Sequence, residues 1–427
     1  MVIYADLPAL NQAMDLDATL NHETLRALEG DNRIISTMRG FLADGIDQKR
    51  EAVVYLSASN QLRTIAGLSS EDSLKAWLAA EKYEVQDGWA QSKTGKVFWK
   101  DGLIAFTESA INPENFEAEI LTNEVPPEEG ELLTFLERDA PLRMWSANVA
   151  ELLSGLDDNV VASIPASSAA ILINTQKGSF SIDLEMSASD EGSAASMQSW
   201  LEGSTGPVWE NSLQSGTPLW ASATPQVAQL IDILGLGNWS VPGSERATIW
   251  FSGMAISNRG GFGIKPDVSL RIDLEEGANA SAAQRFMMQR NGSVQGRLNL
   301  LGTGADMVAI NETLGASTVH DPEEVIAPFK AAAQVPAGIA NSLSSSPLQV
   351  FISGKDLANA TSMRMIEPMS WAAMYLDDGG ADAPEHVDMA LHLTGETRDA
   401  DADGLSTFLD VVLNVYPVIT SMMGLAG

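Results

Sequence analysis

The sequence predicts an α+β protein: a tandem duplication of a module built from strand–helix–strand–strand–helix units, with antiparallel sheets covered on one face by helices. Three observations carry this. Four separate places open with a short apolar strand that runs into a helix-like segment. Each is followed by two strands and a helix, and in the clearest blocks apolar and polar residues alternate along the strands, the period of a strand with one buried face. The spacing of the four openings is long, short, long, short, as duplication of a two-unit module requires.

The openings are "VIYADLPALNQAMDL" from Val2, "APLRMWSANVAELLSGL" from Ala140, "TPLWASATPQVAQLIDILG" from Thr217 and "SPLQVFISGKDLANATSM" from Ser346. Three of them carry a Pro-Leu pair: Pro141-Leu142, Pro218-Leu219 and Pro347-Leu348. In the second block Phe180, Ile182, Leu184 and Met186 alternate with Ser181, Asp183 and Glu185. The third has Val268, Leu270, Ile272 and Leu274, and the fourth Val387, Met389, Leu391 and Leu393. Helices follow, with Met197, Trp200 and Leu201 in one and a stripe of Leu405, Phe408, Leu409 and Val412 in another. The first block, "AVVYLSASNQLRTIAGLSSEDSLKAWLAA", matches least well.

Pro141 and Pro218 lie 77 residues apart, whereas Pro218 and Pro347 lie 129 apart. This places a first module at residues 1–210, with sub-units at about 1–139 and 140–210, and a second at 211–427, with sub-units at about 211–345 and 346–427. The turn-rich stretch "EGSTGPVWENSLQSGT" marks the junction. The two long insertions, "KDGLIAFTESAINPENFEAEI" and "GADMVAINETLGASTVHDPEEV", share an apolar strand and an Asn/Asp-Pro-Glu helix start. A parallel α/β sheet is the competing architecture, but its strands would be continuously apolar, and these alternate.

Composition excludes several functions. Against 57 Asp and Glu stand 25 Lys and Arg, a net charge of −32, and no basic cluster interrupts the acidity. Such a chain is repelled by phosphate backbones and anionic surfaces, so nucleic acid is not an expected partner. With no cysteine there are no disulfides, thiolate metal sites or Cys nucleophiles. The C-terminal run "FLDVVLNVYPVITSMMGLAG" carries Asp410, Asn414 and Pro417 and reads as a docked helix rather than a membrane span. The chain enters "VIYADLPAL" directly after Met1, as a mature chain does once a leader is removed.

The strand-into-helix opening "VIYADLPALNQAMDL", with the later strands "DGLIAFTES" and "DMVAINETL", resembles a family of Bacteroidota cell-envelope lipoproteins of unknown function. The resemblance covers mainly residues 1–150 and, through the duplication, 217–330. It implies an address, the bacterial cell envelope or exterior, and no catalytic residues. The lipid-attachment Cys of such proteins is not in this chain.

Candidate chemistry is sparse. In "HVDMALH" the positions of His386, Asp388 and His392 share one strand face, but residues six apart on a strand are about 20 Å apart, beyond one metal ion. No Gly-x-Ser-x-Gly elbow, Ser-x-x-Lys pair or phosphate loop is present. "NRGGFGIKPD" reads as a hairpin loop. Paired carboxylates for hydrolysis need only be about 5–10 Å apart in space, and the sequence selects no pair. Repeat-related Trp145, Trp220, Trp77 and Trp200 read as core. Trp89 and Trp99, in the polar stretch "DGWAQSKTGKVFWKDG", are the candidates for ligand contact.

"TRDADADGLSTFLD" is the one candidate ion site. Asp399, Asp401, Asp403 and Asp410 stand at positions 1, 3, 5 and 12 of a calcium-loop spacing, with Gly404 at 6. The competing reading is that Asp403 caps a helix, as a Ser, Asp or Asn does in "LSSEDSLKAW", "SASDEGSAAS" and "EEGANASAAQ". The expected function is a non-catalytic exported or cell-envelope protein that binds or scaffolds a protein or glycan at the cell surface. The alternatives are a carboxylate-based hydrolase of the envelope and a calcium-stabilised adhesive protein.

Overall fold

A computed structural model describes residues 1–13, 44–56, 62–93, 95–107, 135, 138–152, 164–203, 206–211, 213–228, 240–257, 263–294, 296–300, 302–327, 333–379 and 387–412. His22, His386, Asn112-Pro113-Glu114 and most of the apolar C-terminal run fall outside them.

The first half begins with β1 (Val2–Asp6), α1 (Leu7–Ala13), β2 (Glu51–Leu56), β3 (Leu62–Gly67) and α2 (Glu71–Ala80). An excursion of short strands follows: β4 (Glu84–Val85), β5 (Trp89–Gln91), β6 (Lys96–Lys100) and β7 (Leu103–Thr107). The second unit is β8 (Leu142–Ser146), α3 (Val149–Leu152), β9 (Ser168–Gln176), β10 (Ser179–Ser187) and α4 (Glu191–Leu201).

After α5 (Val208–Asn211) the order repeats. It runs β11 (Leu219–Ala223), a helical stretch at 225–228, β12 (Ser244–Ser257), β13 (Gly263–Leu274) and α6 (Ala280–Asn291). The second excursion is β14 (Ser293–Val294), β15 (Arg297–Leu300), β16 (Thr303–Ile310), β17 (Thr313–Ser317), α7 (Pro322–Ile326) and α8 (Ala337–Ser345). The last unit is β18 (Leu348–Ser353), α9 (Gly354–Thr361), β19 (Met369–Asp377), β20 (Met389–Thr397) and α10, at 404–412.

All twenty strands join one sheet, and every pairing among the described residues is antiparallel. This settles the choice against a parallel α/β sheet. From one edge the order is β4-β5-β6-β7-β3-β2-β1-β8-β9-β10, then β20-β19-β18-β11-β12-β13-β17-β16-β15-β14. Each strand of the first half thus holds the place that the strand ten numbers later holds in the second. The halves meet through β10 and β20. Both outer edges end in two-residue strands, β4 and β14, which leaves little backbone for edge-to-edge association.

Local chemistry explains the helix starts. Ser70, Asp190, Asn279 and Asp403 each accept a backbone hydrogen bond from the first turn of α2, α4, α6 and α10. Each satisfies a donor that the helix itself leaves unpaired. Asp321 does the same for α7, ahead of Pro322. Four-residue spacing then buries Leu74 and Leu78 of α2 and Ala283 and Met287 of α6. On α10, Leu405 is buried and Phe408, Leu409 and Val411 pack beside it, while Val412 points outward.

The alternating strands bury the expected faces. Val268, Leu270, Ile272 and Leu274 share a core with α6. Phe180 joins a cluster with Leu74 and Leu78, which also takes in Met369, Ala372 and Leu405 of the second half. Met186, Met197 and Val149 likewise pack with Val227, Leu348, Leu376 and Met389. Two apolar clusters therefore run across the junction, while those around Leu270 and around Trp145 close within one half. At the junction, Val208 and Trp209 are buried in a cluster with Trp220, Trp250 and Phe351.

Candidate functional site

The polar groups that the fold brings together lie along the seam between β10 and β20. Eight residue pairs hold it, from Ser179 opposite Glu396 to Met186 opposite Met389. On one face of the seam, Phe180 stacks on Phe408 of α10 with ring centroids 4.4 Å apart. Gly395 makes room for that ring, since a Cβ there would lie 2.7 Å from Phe180 Cε1.

The other face carries charge. Asp183 stands directly opposite His392, and Tyr375 of β19 opposes His392 from the far side. His392 Nδ1 lies 2.7 Å from Asp183 Oδ1, and its Nε2 lies 3.0 Å from Asp377 Oδ1. The imidazole also stacks on Tyr375 at 4.7 Å. Each carboxylate has a further donor: Ser181 Oγ bonds Asp183 and the Gly379 N–H bonds Asp377. Two acceptors on two ring nitrogens require both to carry protons, so the ring is an imidazolium. Burial acts to lower its pKa, but the hydrogen bonds and charges of Asp183 and Asp377 outweigh this and raise it to about 9. For Asp377, burial acts upward and is outweighed by the hydrogen bond and charge of His392, so its carboxyl is held below the ordinary range.

With both ring nitrogens protonated, such a histidine has no free lone pair to accept a proton at neutral pH. The arrangement is a charged clamp across three strands. Two residues along β10, Glu185 pairs with Arg138, whose carbonyl accepts from Arg143. Arg143 in turn lies 3.8 Å over the Tyr4 ring.

The aspartate run lies at the same seam. Asp403 Oδ1 accepts from the Ser406 N–H at 2.8 Å, which makes Asp403 the cap of α10. Asp399 folds back to accept from the Asp401 N–H, a local Asx turn. The loop then docks on the β9–β10 turn of the first half. The Gly178 N–H donates to the Ala402 carbonyl, the Leu405 N–H donates to Thr175 Oγ1, and the backbones of Lys177 and Asp403 pair in an isolated antiparallel β-bridge. Asp410 is exposed on α10. Among the described residues no three acidic or imidazole groups converge as metal ligands. The reciprocal contact comes from Asp388, which accepts from the Ala188 N–H just before α4, at 2.7 Å.

The two tryptophans separate. Trp89 is half-buried opposite Phe98, whereas Trp99 is 5% exposed and belongs to the core beside Ile104 and Leu78. Trp99 is thus a correction to its expected exposure. Val97, Phe98 and Trp99 are all buried, so both faces of β6 are covered and the polar turns around it mislead. Trp145 and Trp220 are buried, and Trp77 and Trp200 pack against the core.

Asp183 and Asp377 carried no signal in the sequence. Each looks like a wet position of an alternating strand until the pairing of β10 with β20 sets it beside His392.

No family model matches the chain, and no curated protein matches it. Among solved structures, crystal form IV of TP0453 is similar over 43% of this chain and 75% of that one, at 8% identity and a TM-score of 0.28. Form III covers 74% and 88% at 6% identity and a TM-score of 0.22. Form I covers 76% and 92% at 8% identity and a TM-score of 0.20. Scores this low carry no inference about fold or role.

Proposed function

We propose that this chain is a non-catalytic exported or cell-envelope protein that scaffolds or binds a protein or glycan at the cell surface. In this reading it was built by duplicating a two-unit module. The observation that carries the scaffolding role is the seam: two sets of ten strands in the same order are welded through β10 and β20 into one sheet. At about 4.8 Å per strand the sheet spans on the order of 90 Å along its hydrogen bonds before twist is counted. A charged clamp, His392 between Asp183 and Asp377, ties the strands at this seam, with its histidine held protonated.

The duplication is supported by the matching strand order and by the four capped helices that follow each third strand. It is also supported by a paired hydrogen bond: the Asp6 N–H donates to the Pro141 carbonyl as the Thr224 N–H donates to that of Pro347. Helices laid over one face fit the clusters that join α2 and α10 to the strand sides of Phe180, and α6 to those of Leu270. The envelope address rests on the resemblance of the opening strand and helix.

The test is to express the complete coding sequence in its own cells, separate the envelope from the cytosol, and treat intact cells with protease. The expected result is recovery in the envelope and cleavage from outside. Recovery in the cytosol overturns the reading.

A further inference from the structure

A hollow with a basic lining interrupts the acidity of the surface. It lies where α9, its left-handed C-cap Ser362 and the 3-10 turn Arg364–Ile366 meet the end of β20. Its volume is about 660 Å³, within the range of small-molecule sites. Lys355, Asn359, Ser362, Arg364, Glu367 and Arg398 line it, over a floor that includes Ala358. Three cations against one carboxylate give it a charge of +2 on a chain of net −32.

Arg398 is ion-paired with Glu367. Lys355 and Arg364 have no ion pair among the described residues, although acidic residues outnumber basic ones more than twofold in this chain. In sequence, the stretch 147–166 that follows β8 has Glu151, Asp157 and Asp158 and no Lys or Arg.

We infer that this hollow binds a small anionic ligand, a phosphate- or carboxylate-bearing sugar or polyol. The two unpaired cations and the Arg398 fork match oxyanions. The Asn359 amide and Ser362 hydroxyl supply partners for hydroxyl groups. Among the described residues that line the hollow none is aromatic. The inference goes beyond the scaffolding role and holds wherever the protein resides.

The test is calorimetry on the full chain with glucose 6-phosphate and with tri-galacturonate, using glucose as the uncharged control. Phosphatidylglycerol vesicles run in parallel distinguish a lipid-borne anion from a free one. At least one anionic probe should bind saturably, more weakly as salt rises, while glucose does not bind. K355Q combined with R364Q should weaken that binding at least about tenfold. Arg364→Lys should retain more of it than Arg364→Gln does. Both sites are exposed, so an unchanged melting curve verifies the fold of each variant. Saturable binding by no anionic probe, or equal binding by the double variant, overturns the inference.

Discussion

The two halves solve the same packing position with different chemistry. Strands β1 and β8 meet as β11 and β18 do, and the paired Pro141 and Pro347 hydrogen bonds fix the correspondence. In the first half, Val2 faces Trp145 under Phe135, while Tyr4 lies beneath the Arg143 guanidinium. In the second, Trp220 faces Phe351 and stacks between it and Trp209, at 5.9 and 5.8 Å. At the place of Tyr4 stands Ser222, bonded to Thr248 at 2.9 Å and fully buried. One half seals this layer with a cation over a ring, the other with indoles and small hydroxyls. The lesson is that strand order tolerates large changes in what fills the layer.

The hairpins differ too. β2 and β3 are six residues each, whereas β12 and β13 run to 14 and 12. The longer pair bulges at Gly253, whose φ of +137° and close approach to Ala360 leave no place for a side chain. Beyond the bulge, Met254 and Ile256 are exposed.

Four experiments probe how far this comparison holds. Trp220→Ala should cost about 3–5 kcal/mol, against about 1–2 for Val2→Ala, read by denaturant unfolding. Equal losses would mean that the two layers contribute alike. Next comes the seam: a Cβ on Gly404 would lie 2.1 Å from the Ser179 carbonyl oxygen, but one on Gly192 at the matching start of α4 meets only the Asp190 carboxylate, at 3.1 Å. Gly404→Ala should therefore cost about 3 kcal/mol and Gly192→Ala about 1 or less in either direction.

His392→Ala should cost about 2–3 kcal/mol, because it leaves Asp183 and Asp377 facing each other in a half-buried site. The folded pKa of His392, about 9, lies above its unfolded value. Its stabilisation is therefore complete below pH about 6.5 and is lost as pH rises toward 9. Asp377 is shifted downward, so its contribution is present above pH about 4 and fades in acid. Melting temperature against pH should fall on the alkaline side in the parent and lose that slope in His392→Asn. A slope that survives the substitution would place the titration elsewhere.

The smallest effect is at the caps. Asp403→Ala should cost about 1 kcal/mol, the worth of a lost N-cap. Asp190→Ala should lower the melting temperature less, because its cap does not also dock on the other half. Both melts should be the same with calcium or with a chelator. A calcium-dependent gain in the parent that Asp403→Ala removes would make the aspartates ion ligands instead.

What the sequence by itself determined is local. The alternation of Phe180 to Met186 fixed a strand and its buried face, because side chains alternate across a strand whatever surrounds it. The four capping residues fixed the helix starts, since a first-turn N–H needs an acceptor within three residues of chain. Mixed α+β architecture and antiparallel pairing followed from the same periods. Only the tertiary structure decided what meets what. That β10 pairs with β20, that Asp183 meets His392, and that the aspartate loop docks on Gly178 are contacts between residues about 200 positions apart along the chain. No short-range period encodes them. Trp99 shows the same limit in reverse: its neighbours are polar, and the covering of both faces of β6, not the local composition, buries it.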